Sequence, residues 1–461
     1  MAKIICVTTG LRGILNASFE LVDRLQNDGH EVIYASPGKV AVSISGQGLR
    51  FVQLPAIENS FKEEIPNYNG PLKKLSRFFY KYKNAEERKS KALNQWMPRA
   101  FAGLLESERP DLVLIDIELH EYIFTAYGQK IPFLLLSQWF SLWNRPGLPY
   151  LLTDTIPGEG VKGNALAIRL HWNYIKVKRW WIFQKKKINS LSTDRRSVLL
   201  EIAKQEKFPL RYLKENYWPG PFTYGELPVL SMTAKEMEFP HEERPNHTYI
   251  GPMVAVNRVE TTLEEEEAER LEAAFDYRQK NKAALIYCSV STLSEGDFRF
   301  IQKVIEAVEL QEDWLLIIGM GKLIEDVELK TLSKNIFPFR FVPQLKVLER
   351  AALSINHGGI HTINECIHFK IPMLVYSGKK SDQNGCAARV AYHQLGMMAD
   401  KDKDSAIDIT IKIEEVLTNE DFRVNINEMH THYLKYKEES FAEQIINGFL
   451  PKNSKGKAGR S

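Results

Sequence analysis

One pattern occurs twice in this chain: a short apolar run, a turn of small residues, and then an amphipathic helix. In the first half, residues 3–9 form such a run and end at Gly10, and residues 17–28 have helical spacing with Gly29 as a stop signal. Residues 31–36 then form a second apolar run. A strand, a helix and a strand joined by short turns make up the βαβ unit of a parallel sheet.

The pattern restarts in the second half, where strands are predicted at 284–289, 314–318, 339–342, 353–356 and 373–376. A chain of 461 residues is too long for one ordinary core. We therefore predict an α/β protein with two Rossmann-like, doubly wound domains that face a shared cleft, where the carboxyl ends of the strands bind ligands. The expected divisions are an amino-terminal domain (1–253), a Thr- and Glu-rich linker (254–268), a carboxyl-terminal domain (269–440), and a final helix with a disordered tail (441–461).

Composition narrows the choice of partners and compartment. The net charge of +3 is too small to indicate nucleic acid as the main partner. The four cysteines are far apart, without metal-type spacing, and favour a reducing, cytoplasmic setting. No apolar run reaches the roughly 18–20 residues that cross a bilayer, and the first nine residues do not resemble a signal peptide. We expect a soluble cytoplasmic protein.

The most informative segment is residues 341–383. Near its centre, His357 is followed by Gly358 and Gly359, where a strand ends and a helix begins. Glycines let a ligand approach the backbone, and the first turn of a helix offers amide donors and positive charge to a phosphate. A single Gly-Gly turn is usually only a turn, so the argument depends on the whole combination.

Polar residues at the flanks of this turn complete the combination. Glu365, early on the following helix, is placed to accept hydrogen bonds from ribose hydroxyls. Asp382 and Gln383 follow another strand, and a carboxylate beside an amide suits adjacent sugar hydroxyls. Phe341 and Gln344 precede the turn, where an aromatic ring can stack on a base and an amide can bind its edge.

These residues, in this order, resemble the donor signature of the family-1 glycosyltransferases of the GT-B fold, which include bacterial macrolide and plant flavonoid enzymes. Residues 289–292 (Ser-Val-Ser-Thr) are similar to the family's Ser-x-Gly-Ser/Thr turn, although Ser291 replaces the glycine. His361 stands where the family usually has asparagine. The likeness spans nearly the whole chain and is most specific after Gly251.

The resemblance implies an inverting, metal-independent transfer of a hexose from a UDP-sugar, which is a substrate and not a cofactor. Gln383 after Asp382 favours glucose. The residues that it assigns to the donor site are Ser289, Thr292, Phe341, Gln344, His357, Gly359, His361, Thr362, Glu365, Asp382 and Gln383.

One departure concerns the catalytic base. The family's catalytic histidine aligns with Ile14, which cannot accept a proton. Asp116 matches the aspartate that orients this histidine, and it could act directly or through a water. His120 lies four residues later, and Glu118 and Glu121 are nearby. Asp116 as a helix cap and His120 as a solvated loop residue are the alternatives.

Aromatic residues predict a lipophilic acceptor. The predicted acceptor residues are Phe79, Ser137, Trp139, Trp143 and Trp180. Residues 168–196 are both aromatic and basic, and we favour aromatics that line the acceptor pocket while the lysines stay in water. Peripheral contact with an anionic membrane is the alternative interpretation of the same segment.

Two other function classes remain open. A non-catalytic sugar-nucleotide-binding partner protein is suggested by Ile14, and a sugar-nucleotide epimerase or hydrolase could share the architecture. The nearly complete donor signature disfavours the first, and the aromatic-rich insertions disfavour the second. The sequence does not identify the acceptor.

Overall fold

The computed structural model describes residues 1–10, 12–38, 40, 44, 47–58, 60–63, 65–215, 220–260, 262–289, 297–321 and 332–450. The expected disordered tail lies outside these residues.

The first half is an alternation of strands and helices around one sheet. Its strands are β1 (Lys3–Val7), β2 (Glu31–Pro37), β3 (Arg50–Leu54), β4 (Leu112–Asp116), β5 (Phe133–Ser137), β6 (Leu213–Glu215), β7 (Phe222–Tyr224), β8 (Val229–Ser231) and β9 (His247–Tyr249). Its helices are α1 (Arg12–Asn27), α2 (Lys73–Lys83), α3 (Ala85–Trp96), α4 (Arg99–Glu108), α5 (His120–Gly128), α6 (Ala165–Ser190) and α7 (Arg195–Gln205), with 3₁₀ turns at Leu210–Tyr212 and Lys235–Met237.

The second half repeats this alternation. Its strands are β10 (Ala284–Ser289), β11 (Trp314–Gly319), β12 (Ile336–Phe339), β13 (Leu353–Asn356), β14 (Met373–Tyr376) and β15 (Gly396–Ala399). Its helices are α8 (Glu265–Asn281), α9 (Asp297–Glu309), α10 (Gln344–Leu348), α11 (Ile360–His368), α12 (Gln383–Tyr392), α13 (Ala406–Thr418), α14 (Glu420–Glu438) and α15 (Phe441–Phe449).

Both sheets are parallel and doubly wound. The first has the order β3-β2-β1-β4-β5-β8-β9 and the second β12-β11-β10-β13-β14-β15, while β6 and β7 form a separate antiparallel ribbon. In each sheet the order reverses beside the first strand, between β1 and β4 and between β10 and β13. Such switch points are where open α/β sheets bind ligands. The predicted fold class is confirmed.

Helix α1 begins five residues before the predicted start at residue 17. Ile14 and Leu15, which the sequence pattern left in the turn, are 2% and 1% exposed. Burial of these two side chains against the sheet favours a helix through the turn, because tertiary packing outweighs the local small-residue signal.

The last helix, α15, packs on the first half of the chain. Ala442 and Ile446 join the apolar cluster on one face of the first sheet. The amide nitrogen of Asn447 donates to Asp28 Oδ2 at 2.7 Å. Residues 250–264 connect β9 to α8, so the chain crosses between the halves twice.

A buried ion pair also joins the two halves. Arg389 of α12 donates through Nε to Glu238 Oε1 at 2.7 Å, and both side chains are 1% exposed. The guanidinium lies between the rings of Phe140 and Phe239, with centroids 4.5 and 4.4 Å away. The pair therefore ties α12, the helix that begins at Gln383, to the first domain.

All four cysteines are buried and free. In the described parts of the chain, no helix is long and apolar enough to span a bilayer.

Candidate active site

The first switch point carries a pair of carboxyl groups. Asp116 ends β4, is 1% exposed, and accepts a hydrogen bond at Oδ1 from the Glu118 amide at 3.0 Å. Burial raises the pKa of the Asp116 carboxyl, although hydrogen bonds from Glu118 and Thr9 oppose this effect. Burial and the negative charge of Asp116 raise the pKa of the Glu118 carboxyl as well. Two close, desolvated carboxyls favour a shared proton at neutral pH.

Glu118 also faces the second domain. Trp139 donates its indole N–H to Glu118 Oε1 at 2.9 Å. The charge of Asp382, from the other half of the chain, raises the pKa of Glu118 further. Of the two carboxyls, Glu118 is therefore the one whose pKa responds to the charge of the predicted sugar-binding residue. The sequence identified it only as a neighbour of Asp116.

His120 does not face the cleft, and the expectation that it does is wrong. It is fully buried, with Nδ1 2.6 Å from the Tyr224 hydroxyl and Nε2 3.3 Å from the Gly220 carbonyl oxygen. Burial, assisted by the charge of Arg195, lowers its pKa to about 3. The physical reason is that Asp116 ends a strand while α5 begins at His120, so the two residues share no helix face.

The glycine turn forms the second switch point. Asn356 ends β13, and its side-chain oxygen accepts from the Gly358 amide at 2.9 Å. Gly358 has a φ of +83°, which favours glycine, and a Cβ there would lie 2.8 Å from the backbone oxygen of Gln383. The His357 ring lies 3.4 Å from the Ser289 carbonyl oxygen. Two parts of the sequence signature, 25 residues apart, are thus in contact.

The predicted sugar-binding pair lies beside this turn at the start of α12. Asp382 and Gln383 are 4% and 8% exposed. Asp382 accepts from the Ser381 hydroxyl at 3.0 Å and from the Cys386 thiol at 3.1 Å. Burial raises the pKa of the Asp382 carboxyl, while the nearby His357 opposes the rise.

The residues that are predicted to bind the nucleoside form hydrogen bonds with one another and with Arg258. Gln344 donates its amide to Glu365 Oε2, and Glu365 Oε1 accepts from Arg258 at 2.5 Å. Arg258 comes from the connection between the halves, so sequence motifs gave no signal for it. Phe341 is 48% exposed and available for stacking. Thr362 is half-buried on the first turn of α11, and Thr292 lies outside the described residues.

His361 crosses the cleft toward the first domain. A Cβ on Gly13 would lie 2.7 Å from His361 Cδ2, so the imidazole packs directly on the turn that holds Ile14. Both ring nitrogens are buried, without a hydrogen-bond partner among the described residues. Burial and the charge of Arg258 lower its pKa to about 4, which keeps the ring neutral at pH 7.

The predicted acceptor residues fall into three places. Ser137 and Trp139 are buried near Glu118. Trp143 and Trp180 line a groove of about 740 Å³ between α6 and the loop after β5, and this groove shares no lining residue with the carboxyl pair or the donor motifs. Phe79 is 60% exposed on α2, apart from the residues that line this groove, and its assignment to an acceptor wall stays a prediction.

Comparison with known proteins agrees with the two-domain fold. Residues 294–445 match the glycosyltransferase family 28 C-terminal domain. The chain is 24% identical over 210 residues to the zeaxanthin glucosyltransferase of Pantoea ananas, covering 45% of this chain and 46% of that one. It is 21% identical to the NDP-glycosyltransferase YjiC of Bacillus subtilis (strain 168), covering 96% of both.

The crystal structure of the glycotransferase of kitacinnamycin superposes with a TM-score of 0.67 at 18% identity, covering 98% of this chain and 99% of that one. The chain therefore has the fold of that glycosyltransferase, and its second half carries a region similar to the glycosyltransferase family 28 C-terminal domain. The first relatives match over only 38–46% of their own length.

The groups that could accept a proton are divided between the two halves of the chain. Ile14 lies in the apolar core of the first domain, whereas Glu118 on the first domain and His361 on the second border the cleft. No group of three or more side chains placed to hold a metal ion occurs in the described ranges.

Proposed function

We propose that this chain transfers a hexose from a nucleoside-diphosphate sugar to a small lipophilic acceptor, with inversion at the anomeric carbon and without a metal. The observation that carries this proposal is the packing of His361, from the helix after the glycine turn, against Gly13 of the first domain, which brings the donor motifs of the second domain to the first switch point and its carboxyl pair. Glu118 would then serve as the proton acceptor, and Asp382 would bind the sugar. UDP-glucose is our choice of donor, because Gln383 follows Asp382.

The donor is expected to lie along the second switch point. Phe341 stacks on the base, and Gln344 and Glu365 bind the nucleoside once Arg258 releases or shares Glu365. His357, Thr362 and the amides of the first turn of α11 bind the diphosphate, to which His361 donates a ring N–H. The Asp382 carboxylate accepts hydrogen bonds from the sugar hydroxyls, and the Gln383 side-chain amide donates a hydrogen bond to them.

The reaction needs one proton acceptor. The acceptor oxygen attacks the anomeric carbon as its proton passes to the Glu118 carboxylate, and the bond to the diphosphate oxygen breaks with its electron pair. The nucleoside diphosphate leaves on the opposite face, near His361. Asp116 accepts a hydrogen bond from the backbone amide of Glu118 and shares the proton of the carboxyl pair. Asp116 is therefore a positioning residue.

Nucleotide release with and without acceptors tests the function. With UDP-glucose and a panel of phenols, thiols and anilines, we expect acceptor-dependent release of UDP and a glucosylated product by mass. Acidic phenols and thiols are expected to react fastest, because they need least help from a base. Acceptor-independent release would indicate a hydrolase, and tight nucleotide binding without release would indicate a partner protein; either outcome rejects the proposal.

Gly13→Ala tests the placement of His361. The added methyl group would displace the imidazole, and a misplacement of about 1 Å can reduce rates by roughly 100-fold. We expect kcat/KM to fall by about 10- to 100-fold. Gly103→Ala is the matched control, because it is also helical and its Cβ would meet nothing within 4 Å. Equal activity of the two variants would show that the position of His361 does not matter for transfer, and would reject its role in the site.

A further inference from the structure

Helix α6 has two apolar faces, and only one is packed on the protein. Its buried residues are Ile168, Trp172, Ile175 and Phe183. A second set repeats at helical spacing along the opposite side, and every member is 55–63% exposed: Leu166, Leu170, Tyr174, Val177, Trp181 and Ile188. Monomeric proteins rarely leave so continuous an apolar stripe in water.

Helix α2 extends this surface. It has no buried residue, and Leu75, Phe78, Phe79 and Tyr82 are 43–68% exposed. Lys81 Nζ donates to the Asn189 carbonyl oxygen at 3.4 Å, which places the end of α2 beside the end of α6. The two helices therefore form one exposed surface, which we call the α2–α6 surface.

The charge of this surface identifies its partner. The 37 residues of α2 and α6 carry twelve Lys and Arg and no Asp or Glu. The rest of the chain then has 49 basic and 58 acidic residues, so its net charge is negative. A basic helix that exposes Trp, Tyr and Leu between lysines has the composition of helices that lie in the interface of an anionic bilayer.

The exposed fractions decide between the two interpretations of this segment. Aromatics that only lined a pocket would be covered by the protein, as Trp172 is at 1% exposure, yet Tyr174, which is not among the residues that line the groove of Trp143 and Trp180, is 59% exposed. We propose that the α2–α6 surface binds the anionic surface of a phospholipid bilayer peripherally. The groove of Trp143 and Trp180 opens beside this surface, so a lipophile dissolved in the bilayer would meet it directly.

Vesicle sedimentation of the full chain tests this proposal without any assay of transfer. We expect binding to vesicles of phosphatidylcholine mixed with phosphatidylglycerol, weak binding to phosphatidylcholine alone, and release by salt. Replacing Lys185, Lys186 and Lys187 by Glu should weaken binding about a hundredfold, since each lysine near an anionic surface contributes roughly a factor of five. Lys280→Glu, Lys282→Glu and Lys334→Glu, combined, are the matched control.

A second pair of variants tests the apolar stripe. Leu170→Gln, Tyr174→Gln and Ile188→Gln, combined, should lower vesicle binding, whereas Ile407→Gln, Ile411→Gln and Val424→Gln, equally exposed on the second domain, should not. Circular dichroism checks that each variant is folded. The proposal is overturned if the wild-type protein does not bind anionic vesicles, or if the control variants lose as much vesicle binding as the test variants. It is also overturned if the stripe variant changes only the oligomeric state.

Discussion

Glu118→Gln is expected to lower kcat/KM by about 10²–10⁴-fold, the usual contribution of a positioned general base. The amide keeps the size of the side chain and can still meet the Trp139 indole, but it cannot take a proton from the acceptor. Glu206→Gln is the matched control, because burial also raises the pKa of Glu206 at the end of α7, away from the cleft. A Glu118→Gln enzyme with wild-type turnover would exclude the carboxyl pair as the base.

The pH profile gives a second readout of the same pair. Burial raises the pKa of both carboxyls, and the charge of Asp116 raises the pKa of Glu118 further, so the pair gains protons at a higher pH than an isolated carboxyl, which titrates near about 4. Because the base must be deprotonated, kcat/KM should fall as the pH drops through the neutral range. In Glu118→Gln this acid limb should move to lower pH, because the carboxyl with the more strongly raised pKa is removed and Asp116 remains. An unchanged limb would assign it to another group.

Arg389→Met is expected to destabilise the fold by about 3–5 kcal/mol, because it leaves the Glu238 carboxylate buried and unpaired. Glu238 also accepts from the Ser141 amide at 2.8 Å, so its charge is held in the interior. The loss should appear as a lower urea midpoint, followed by tryptophan fluorescence. Arg423→Met, which breaks an exposed pair with Glu420 at 3.5 Å, is the control and should cost about 0–1 kcal/mol.

The double variant Glu238→Gln with Arg389→Met separates charge from packing. If the penalty comes from the unpaired carboxylate, the double variant should recover part of the stability lost in Arg389→Met. If it comes from the cavity between Phe140 and Phe239, no recovery is expected. Equal midpoints for Arg389→Met and Arg423→Met would contradict a structural role for this ion pair.

The fold was predictable because its signals are local. Apolar runs that end at glycines, with helical spacing between them, specify each βαβ unit without knowledge of the rest of the chain. The glycine turn was predictable for a similar reason, since Gly358 needs a positive φ and follows a strand. The contact between Gly358 and Gln383 then follows from the parallel pairing of β13 with β14.

The proton-accepting groups were harder to predict, because they depend on tertiary contacts. Glu118 gains its role from Asp382, 264 residues away, and Arg258 meets Glu365 across 107 residues. No spacing rule connects such positions. The error at His120 came from applying the i, i+4 rule across a strand end, where it has no geometric basis.

The anomeric configuration of the product tests the central claim most directly. A product made from UDP-α-glucose and a responsive phenol can be isolated, and its anomeric proton measured by NMR. Direct displacement assisted by Glu118 predicts a β-glucoside. An α-glucoside, or free glucose as the only sugar product, would contradict a single inverting transfer at this site.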